Sequence, residues 1–263
     1  MDRIDRVEGR RLFGQDPDRY DHGRPDYPVW VFDALEASGA LSDGTKTLEI
    51  GPGSGLATGA LLDRGARPLT LVEPDARLAA WLRERLPAAE ATVVNASFED
   101  AALPDQAFDL VAAATAFHWI EPASGLAKVR RLLKTGGTAA LIWNVFQDMD
   151  KADAFHEATK GLLSPLASSP SGAPDTLPFA LDRAARERDA LAAGFTEVTY
   201  EETRWAYQID AEQVKALYGN FSSIQRLTPR ARVVLLDELA RIAREQFDGR
   251  VTRNMTTCLY QLR

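Results

Sequence analysis

A glycine-rich turn between two apolar stretches holds the residues whose types and spacing point most directly to chemistry. Glu49 precedes a turn in which Gly51, Gly53 and Gly55 occupy alternate positions, and Glu73 ends the next apolar stretch. Glycines let a backbone turn sharply and approach a ligand where any Cβ would clash. A carboxylate at the tip of the following strand can accept hydrogen bonds from both hydroxyls of a ribose. The pattern therefore predicts a site for a nucleoside-type cofactor.

The spacing of the glycines discriminates between two kinds of nucleoside cofactor. A nicotinamide dinucleotide site requires G-x-G-x-x-G at the start of the helix, and the third glycine would then fall at Leu56 or Thr58. A pyrophosphate would also repel a carboxylate at Glu49, whereas an ammonium group would be attracted to it. S-adenosylmethionine (SAM) carries an ammonium and a sulfonium, so the pattern favours SAM. A dinucleotide site and a purely structural glycine turn remain as alternatives.

Four sequence blocks resemble those of class I SAM-dependent methyltransferases. They are Tyr20–Pro28, Glu49–Gly55, Phe108–Trp119 and Leu133–Gly137, and the resemblance spans roughly residues 13–145. The chain looks like the small-molecule group that includes the ubiquinone/menaquinone-biosynthesis enzymes, and within that group it looks like the trans-aconitate methyltransferase-like branch. The glycine block is specific for the superfamily and the Phe-His-Trp block for the branch, and neither is specific for a substrate.

This resemblance implies a set of cofactor-binding residues. They are Tyr20, Arg24, Glu49, Gly51, Pro52, Gly53, Gly55, Glu73, Pro74, Ser97, Phe98, Ala114 and Thr115. The glycines are expected to cradle the methionine part of SAM, and Glu49 to hold its ammonium through water. Glu73 is expected to bind the ribose hydroxyls; alternatively, it caps the helix that starts at Asp75.

Roles at the adenine and at the methionine carboxylate are also implied. Ser97 stands where relatives often carry an acid that faces the adenine amino group, and Glu99 could substitute for it. Phe98 either stacks on the adenine or belongs to the core. Tyr20 and Arg24 are expected to fold over the cofactor, where an arginine can pair bidentately with its carboxylate. A structural arginine in a tethered arm is the alternative.

The residues after the fourth predicted strand are expected to form the acceptor side of the site. Small residues at 112–116 leave room for a ligand, and His118 is the candidate catalytic residue because an imidazole titrates near neutral pH. It would act as a general base or, alternatively, be a hydrogen-bonded structural group. The predicted acceptor-binding residues are Phe117, His118, Trp119, Trp143, Tyr218 and Phe221. This aromatic set suggests an apolar or planar small acceptor, although the same residues could equally be packing residues.

Alternating strand-like and helical stretches predict an α/β fold. We expect a Rossmann-like, seven-stranded, mostly parallel sheet with helices on both faces and a helical lid insertion. The predicted strands lie near 45–50, 68–73, 91–97, 108–115, 138–144, 195–208 and 252–261. Asp75 is expected to cap one helix, and Gly136-Gly137 to end the helix that Pro122 opens.

The predicted organisation follows from these elements. It comprises an N-terminal arm over the cofactor site (1–30), a SAM-binding core (31–150), a linker, helix and sixth strand (151–210), the lid insertion (211–249) and the last strand of the sheet (250–263). Residues 164–178 contain four prolines and cannot be regular structure. A loop of that length is usually functional or disordered, so it is interpreted as a flap at the substrate mouth or as an inert linker.

Composition narrows the class of protein. A formal net charge of −7 and a pI near 5.1 argue against a nucleic-acid groove. One cysteine excludes an internal disulfide, no Cys-rich metal site is present, and neither His22 nor His156 has a partner at metal-ligand spacing. The charged N-terminus is no signal peptide, and no apolar run approaches the ~18 residues of a membrane span. A cytoplasmic protein without membrane or nucleic-acid partners is expected, and no oligomeric state is predicted.

Taken with the resemblance, these features predict a SAM-dependent methyltransferase for a small-molecule acceptor, with S-adenosylhomocysteine (SAH) as the product. In-line displacement from a sulfonium needs chiefly positioning in a dry pocket, which can supply ~7–11 kcal/mol. A base is needed only for a hydroxyl or protonated amine acceptor. An NAD(P)-dependent oxidoreductase and a non-catalytic SAM-binding protein are the alternatives.

Overall fold

The structure, a computed structural model, describes residues 3–10, 12, 23–172 and 176–263. Within these ranges seven strands form one sheet. They are β1 (Thr47–Ile50), β2 (Leu69–Val72), β3 (Ala91–Val94), β4 (Phe108–Ala114), β5 (Leu133–Val145), β6 (Val198–Asp210) and β7 (Arg250–Leu262). Their order is β3-β2-β1-β4-β5-β7-β6. β1 to β5 are parallel and β7 runs antiparallel to both β5 and β6, which confirms the predicted seven-stranded, mostly parallel sheet.

The helices of the described ranges alternate with the strands. They are α1 (Arg6–Arg10), α2 (Val29–Ala37), α3 (Leu56–Asp63), α4 (Ala76–Arg85), α5 (Pro122–Leu132), α6 (Ala154–Leu163), α7 (Arg183–Ala192), α8 (Ala211–Tyr218), α9 (Ser222–Gln225) and α10 (Pro229–Gln246). A 3-10 turn, Phe117–Trp119, follows β4. No helix in the described part of the chain is long and apolar enough to cross a membrane.

Several helix starts lie where the sequence predicts them. The Asp75 carboxylate accepts hydrogen bonds from the backbone amides of Arg77 and Leu78 and so caps α4. Thr228 caps α10, and Pro229 occupies its first turn, where a missing N–H costs nothing. Helices α8, α9 and α10 lie between β6 and β7, so the helical insertion at this point of the chain is confirmed.

Both faces of the central strands are buried, and successive side chains of a strand point to opposite faces. In β4, Val111 and Ala113 belong to one core cluster, and Leu110 and Ala112 belong to the cluster on the other face. A third cluster lies within the helical insertion and includes Phe155 of α6. The apolar character of β4 on both faces is therefore the expected signature of a central parallel strand.

The predicted end of helix α5 was wrong, and helix α6 was not predicted. Helix α5 ends at Leu132, and Gly136 and Gly137 lie inside β5 instead of ending the helix. Gly136 has a φ of +78°, and it sits in the irregular start of β5, where the pairing of β4 with β5 shifts register. Helix α6 had not been recognised, because its sequence lies in the segment interpreted as a linker.

The proline-rich segment 164–178 is irregular, as expected, over its described residues 164–172 and 176–178. Ser169 bridges to Gly172 within it. Its backbone is also tied to the N-terminal segment, because the amide of Ile4 donates to the carbonyl of Ser168 at 2.8 Å. The segment lies beside the cavity described next.

Candidate functional site

A cavity of about 770 Å³ opens at the carboxyl ends of the parallel strands. The register places these ends together, since Ile50 pairs with Val72 and Glu49 with Ala112. The loops after β1, β2, β4 and β5 all contribute to its wall. These loop residues are Gly51, Gly53, Glu73, Pro74, Thr115, Ala116 and Phe146. This edge is where an open α/β sheet binds its ligands.

The turn after β1 has the geometry that only glycine adopts without strain. Gly51, Gly53 and Gly55 have φ values of +65°, +61° and +100°. A Cβ on Gly51 would lie 2.8 Å from the Cβ of Ala116. Gly51 and Gly53 line the cavity, whereas Gly55 caps α3 and, like Pro52, is not part of the wall. The turn therefore exposes backbone to the cavity at two of the four predicted positions.

Glu73 is buried at the cavity wall and links the first two loops. Its carboxylate accepts hydrogen bonds from the amides of Gly53 (3.1 Å) and Asp75 (2.9 Å). Burial raises the pKa of Glu73 to about 7. Because Asp75 caps α4, the alternative that Glu73 is the helix cap is not supported. A carboxylate has about four acceptor positions, so Glu73 retains capacity for a ligand.

Glu49 lies behind the glycine turn, 1% exposed and outside the cavity wall. One carboxylate oxygen accepts a hydrogen bond from the Thr58 hydroxyl at 2.7 Å. The other, Oε1, is buried and has no hydrogen-bond partner among the described residues. Burial raises the pKa of Glu49 to about 7. A cationic group near this turn would compensate the buried charge.

The loop after β3 presents one of its two predicted residues to the cavity. Phe98 and Pro74 line the wall, but the Ser97 hydroxyl donates to Asp100 at 2.6 Å and lies outside it. The Ser97 side chain thus stabilises its own turn, and its implied adenine contact stays a prediction. Glu99 is held by Arg10 through hydrogen bonds of 2.7 and 2.6 Å.

Thr115 follows β4 with a φ of +52°. Left-handed backbone is strained for a β-branched residue, and such strain clusters at functional sites. Its hydroxyl accepts a hydrogen bond from Tyr27 at 2.8 Å, and its amide donates to Ile142 at 2.7 Å. Thr115 lines the cavity, whereas Ala114 remains within β4 and does not.

The 3-10 turn divides its three predicted residues between cavity and core. His118 and Trp119 line the cavity, together with Trp143 from β5. Phe117 is 1% exposed and packs in the core, where Gly125 approaches its ring. The predicted acceptor contact of Phe117 is therefore wrong, because successive side chains of so tight a turn point to different sides.

His118 is fixed by its neighbours. Its Nδ1 accepts a hydrogen bond from the Trp143 indole N–H at 3.2 Å, and its ring lies 5.1 Å from that of Trp119. Burial lowers the pKa of His118 to about 3, and the positive charges of Arg24 and Arg6 contribute to the shift. The imidazole is neutral at physiological pH.

The insertion contributes Phe221 to the wall, but not Tyr218. Tyr218 is 1% exposed, and its hydroxyl accepts a hydrogen bond from Arg253. Arg253 also forms a buried ion pair with Asp153 at 2.6 Å. The predicted acceptor contact of Tyr218 is therefore wrong, since its ring belongs to the core of the insertion and lies 5.9 Å from that of Phe155.

Two arginines near the N-terminus line the same cavity. Arg24 lines the wall, and its guanidinium donates to the carbonyl of Asn220 in the insertion at 3.2 Å. Tyr20 lies outside the described residues. Arg10 of α1 also lines the wall and donates from Nε to the carbonyl of Trp119 at 3.1 Å. Sequence reasoning missed Arg10, for which no local pattern gives a signal.

Comparison with known proteins identifies the central part of the chain. Residues 48–141 match the family model described as a methyltransferase domain. An uncharacterized methyltransferase of Schizosaccharomyces pombe is 28% identical over 256 residues, which cover 95% of this chain and 96% of the relative.

Residues 48–141 thus carry a methyltransferase domain, and the fold is that of solved methyltransferases. This confirms the class implied by the four sequence blocks, while the branch within it stays a prediction.

Two solved structures show that the methyltransferase fold extends beyond the matched residues. A protein described as a putative type II methyltransferase from Anaeromyxobacter dehalogenans is 22% identical, with a TM-score of 0.60 over 91% of this chain and 96% of that chain. Phosphoethanolamine N-methyltransferase 2 of Haemonchus contortus, solved with phosphomonomethylethanolamine and SAH, is 14% identical, with a TM-score of 0.57 over 95% of this chain and 57% of that chain. At these identities the likeness concerns the fold.

Proposed function

We propose that this methyltransferase transfers a methyl group from SAM to a small-molecule acceptor by in-line displacement and releases SAH. The observation that carries the proposal is the convergence of two buried carboxylates, Glu49 and Glu73, on a glycine turn at the cavity edge. Buried carboxylates with raised pKa values are typical of sites that bind a cation or exchange a proton. SAM brings an ammonium and a sulfonium to such a site.

The residues present fit SAM. The unpartnered Oε1 of Glu49 is suited to hold the ammonium through water. Glu73 has acceptor capacity for the ribose hydroxyls, and Phe98 and Pro74 offer apolar surface to the adenine. Gly51 lines the cavity without a Cβ, so the methionine part can approach its backbone. Arg24 is the candidate partner of the methionine carboxylate.

The acceptor would occupy the part of the cavity beside the aromatic residues. Trp119, Trp143 and Phe221 line it, and their faces exclude water and tolerate a sulfonium. SAM supplies an electrophilic methyl group, so the task of these side chains is to orient the acceptor in a dry pocket. A volume of about 770 Å³ is in the range of cavities that bind small ligands. The absence of nucleic-acid and membrane partners and a cytoplasmic location stay predictions.

Calorimetric titration with SAH and with NADH tests the cofactor. Binding of SAH without binding of NADH is the expected result, and the reverse would overturn the proposal in favour of an oxidoreductase. Turnover is tested separately by screening small molecules, with and without carboxylates, for acceptor-dependent release of SAH from SAM. Binding of SAH without turnover in a broad screen would favour the non-catalytic alternative.

A further inference from the structure

We propose that His118 binds the acceptor by donating a hydrogen bond from its Nε2–H to an acceptor oxygen, and that Trp143 is the positioning residue that fixes this tautomer. The inference rests on the proposed function and names a chemical feature of the substrate. It also replaces the expectation that His118 is a general base.

The tautomer follows from the hydrogen bond between the two side chains. An indole N–H is a donor only, so the Nδ1 atom that receives it at 3.2 Å must carry a lone pair. A neutral imidazole has one N–H group, which must then be at Nε2. Protonation of Nδ1 would set two N–H groups against each other. It would also add a positive charge to a buried ring near Arg24 and Arg6.

The orientation of the ring is fixed by packing. The ring of His118 lies 5.1 Å from that of Trp119 and 6.4 Å from that of Phe179. Phe179 in turn lies 5.8 Å from Trp143. These contacts and the Trp143 hydrogen bond leave the imidazole no free rotation, so its second nitrogen keeps one direction.

The second nitrogen of His118 faces the cavity. His118 lines the wall, and Nε2 is not among the buried side-chain atoms of the described residues that lack a hydrogen-bond partner. Within the described ranges, the hydrogen bond with Trp143 is the one that this imidazole makes. Nε2–H is therefore a donor directed at whatever occupies this part of the cavity.

A donor in this position selects for acceptor chemistry. A general base needs a lone pair facing the proton that it removes, but the only lone pair of this imidazole is engaged by Trp143. An oxygen lone pair, as in a carboxylate or carbonyl, complements the N–H group, and the nearby charges of Arg24 and Arg6 favour an oxyanion. An ammonium group would set donor against donor. The acceptor is thus expected to bear a lone-pair oxygen beside the atom that is methylated.

The first test measures the tautomer. Nitrogen-15 NMR of histidine-labelled protein, assigned with the H118Q variant, is expected to show His118 as the Nε2–H form from about pH 5.5 to 8. The W143F variant keeps the aromatic packing but lacks the donor, so His118 should lose its single tautomer. An Nδ1–H form or an imidazolium in the wild type would overturn the proposal, as would an unchanged tautomer in W143F.

The second test measures recognition with two probes of similar shape. Benzoate offers only oxygen lone pairs, and benzylammonium offers only N–H donors. With SAH-saturated protein, benzoate should bind at least roughly 10-fold more tightly. H118F keeps a ring without a donor and should lose most of this preference, while H118Q, whose amide can donate from a similar position, should retain part of it.

The outcomes separate this inference from the proposed function. Absence of SAH binding to the wild type would contradict the proposed function, whereas the tautomer would still be read by NMR. If SAH binds, then equal affinity for the two probes, no benzoate binding, or an unchanged benzoate preference in H118F would overturn the donor role. Melting temperatures measured with SAH identify any variant that has lost its fold.

Discussion

The two sides of the cavity are built in different ways. The cofactor side consists of short loops that follow β1, β2 and β4, and its key groups are backbone amides, glycines and two buried carboxylates. The side proposed to bind the acceptor is assembled from segments far apart in the sequence, including α1, α6, the 164–172 segment and the insertion. The first side depends on local backbone geometry and the second on tertiary packing. The two sides should therefore respond differently to substitution.

Tyr218 and Phe221 illustrate this dependence on packing. Three residues apart, they would share one face of a continuous helix. The chain instead leaves α8 after Tyr218, and Phe221 is the N-cap of α9. Their rings lie 4.9 Å apart, yet only Phe221 reaches the cavity. A break in the helix thus separates a core residue from a wall residue.

The largest expected effect tests the cofactor side through its backbone. Gly51→Ala should weaken SAH binding by roughly 30-fold to several thousand-fold. The new Cβ meets Ala116, at a cost of ~1–3 kcal/mol for overpacking, and the left-handed backbone adds ~1–2 kcal/mol. The turn is expected to relax to relieve these costs, and SAH binding must then restore the strained conformation. Gly59→Ala is the matched control, since a Cβ there meets nothing within 4 Å. Calorimetry on folded G51A that returned wild-type affinity would contradict the role of the turn.

Glu73→Ala is expected to have the next largest effect. Two hydrogen bonds to a charged group, at ~1.5–3 kcal/mol each and partly replaced by water, correspond to about 10- to 300-fold weaker SAH binding. Asp75→Ala removes the cap of α4 instead and should lower stability by ~1 kcal/mol with affinity within a few-fold of wild type. Equal loss of SAH affinity in both variants would mean that SAH binding depends on the conformation of the loop after β2 and not on the Glu73 carboxylate.

Changing the pH should affect protein stability and cofactor binding in opposite directions. The pKa of both Glu49 and Glu73 is raised from 4.5 to about 7, so the folded, cofactor-free protein binds protons more tightly than the unfolded chain. The stability that this contributes is fully present below pH 4.5 and is lost as the pH rises to about 7.

Cofactor binding should show the opposite trend, since an ammonium needs an ionised partner. As the pH is lowered from about 8 to about 6, SAH affinity should fall by about 10-fold for each carboxylate that takes part. In the Glu49→Gln variant, the pH dependence of SAH affinity should correspond to one titrating carboxylate fewer than in the wild type. Thermal melts and titrations across pH 5.5–8.5 measure both trends, and a flat affinity profile in the wild type would rule out the ionised pair.

The smallest effect on the cofactor is expected from the acceptor side. Phe221→Ala should raise the acceptor KM by several-fold and leave SAH affinity within a few-fold, because Phe221 lines the wall from the helical insertion and not from the loops that follow β1 and β2. Tyr218→Phe should lower stability by ~1–3 kcal/mol without changing KM, since it removes a buried hydroxyl that interacts with Arg253 and Thr159 and lies outside the cavity wall. Unchanged kinetics in F221A would contradict a role of Phe221 in acceptor binding and would indicate that the insertion only packs against the core.

The sequence predicts the sheet and the cofactor side because the signals there are local. Strand periodicity, the glycine turn and the acids at strand ends each act over a few residues, and Glu73 lies where its position after β2 indicates. Phe117 was misplaced because a 3-10 turn, unlike a strand or helix, gives no periodic pattern. Helix α6 was missed although Asp153 caps it locally, because its segment was interpreted as a linker. Arg10 was missed because its contribution depends on contacts with Glu99 and Trp119, which are 89 and 109 residues away in the sequence. Such contacts leave no trace in local spacing.

The two ends of the helical insertion are neighbours in the sheet, since Asp210 pairs with Arg250. The entropy of closing a loop grows only slowly with its length, so segments of other lengths could be accommodated here without changing the strand order. The insertion is thus a segment that another sequence could replace without altering the sheet. A replacement would need a surface that covers Phe155 and the buried Arg253–Asp153 pair. A chimaera that keeps this surface could acquire a new acceptor while its cofactor loops remain as they are.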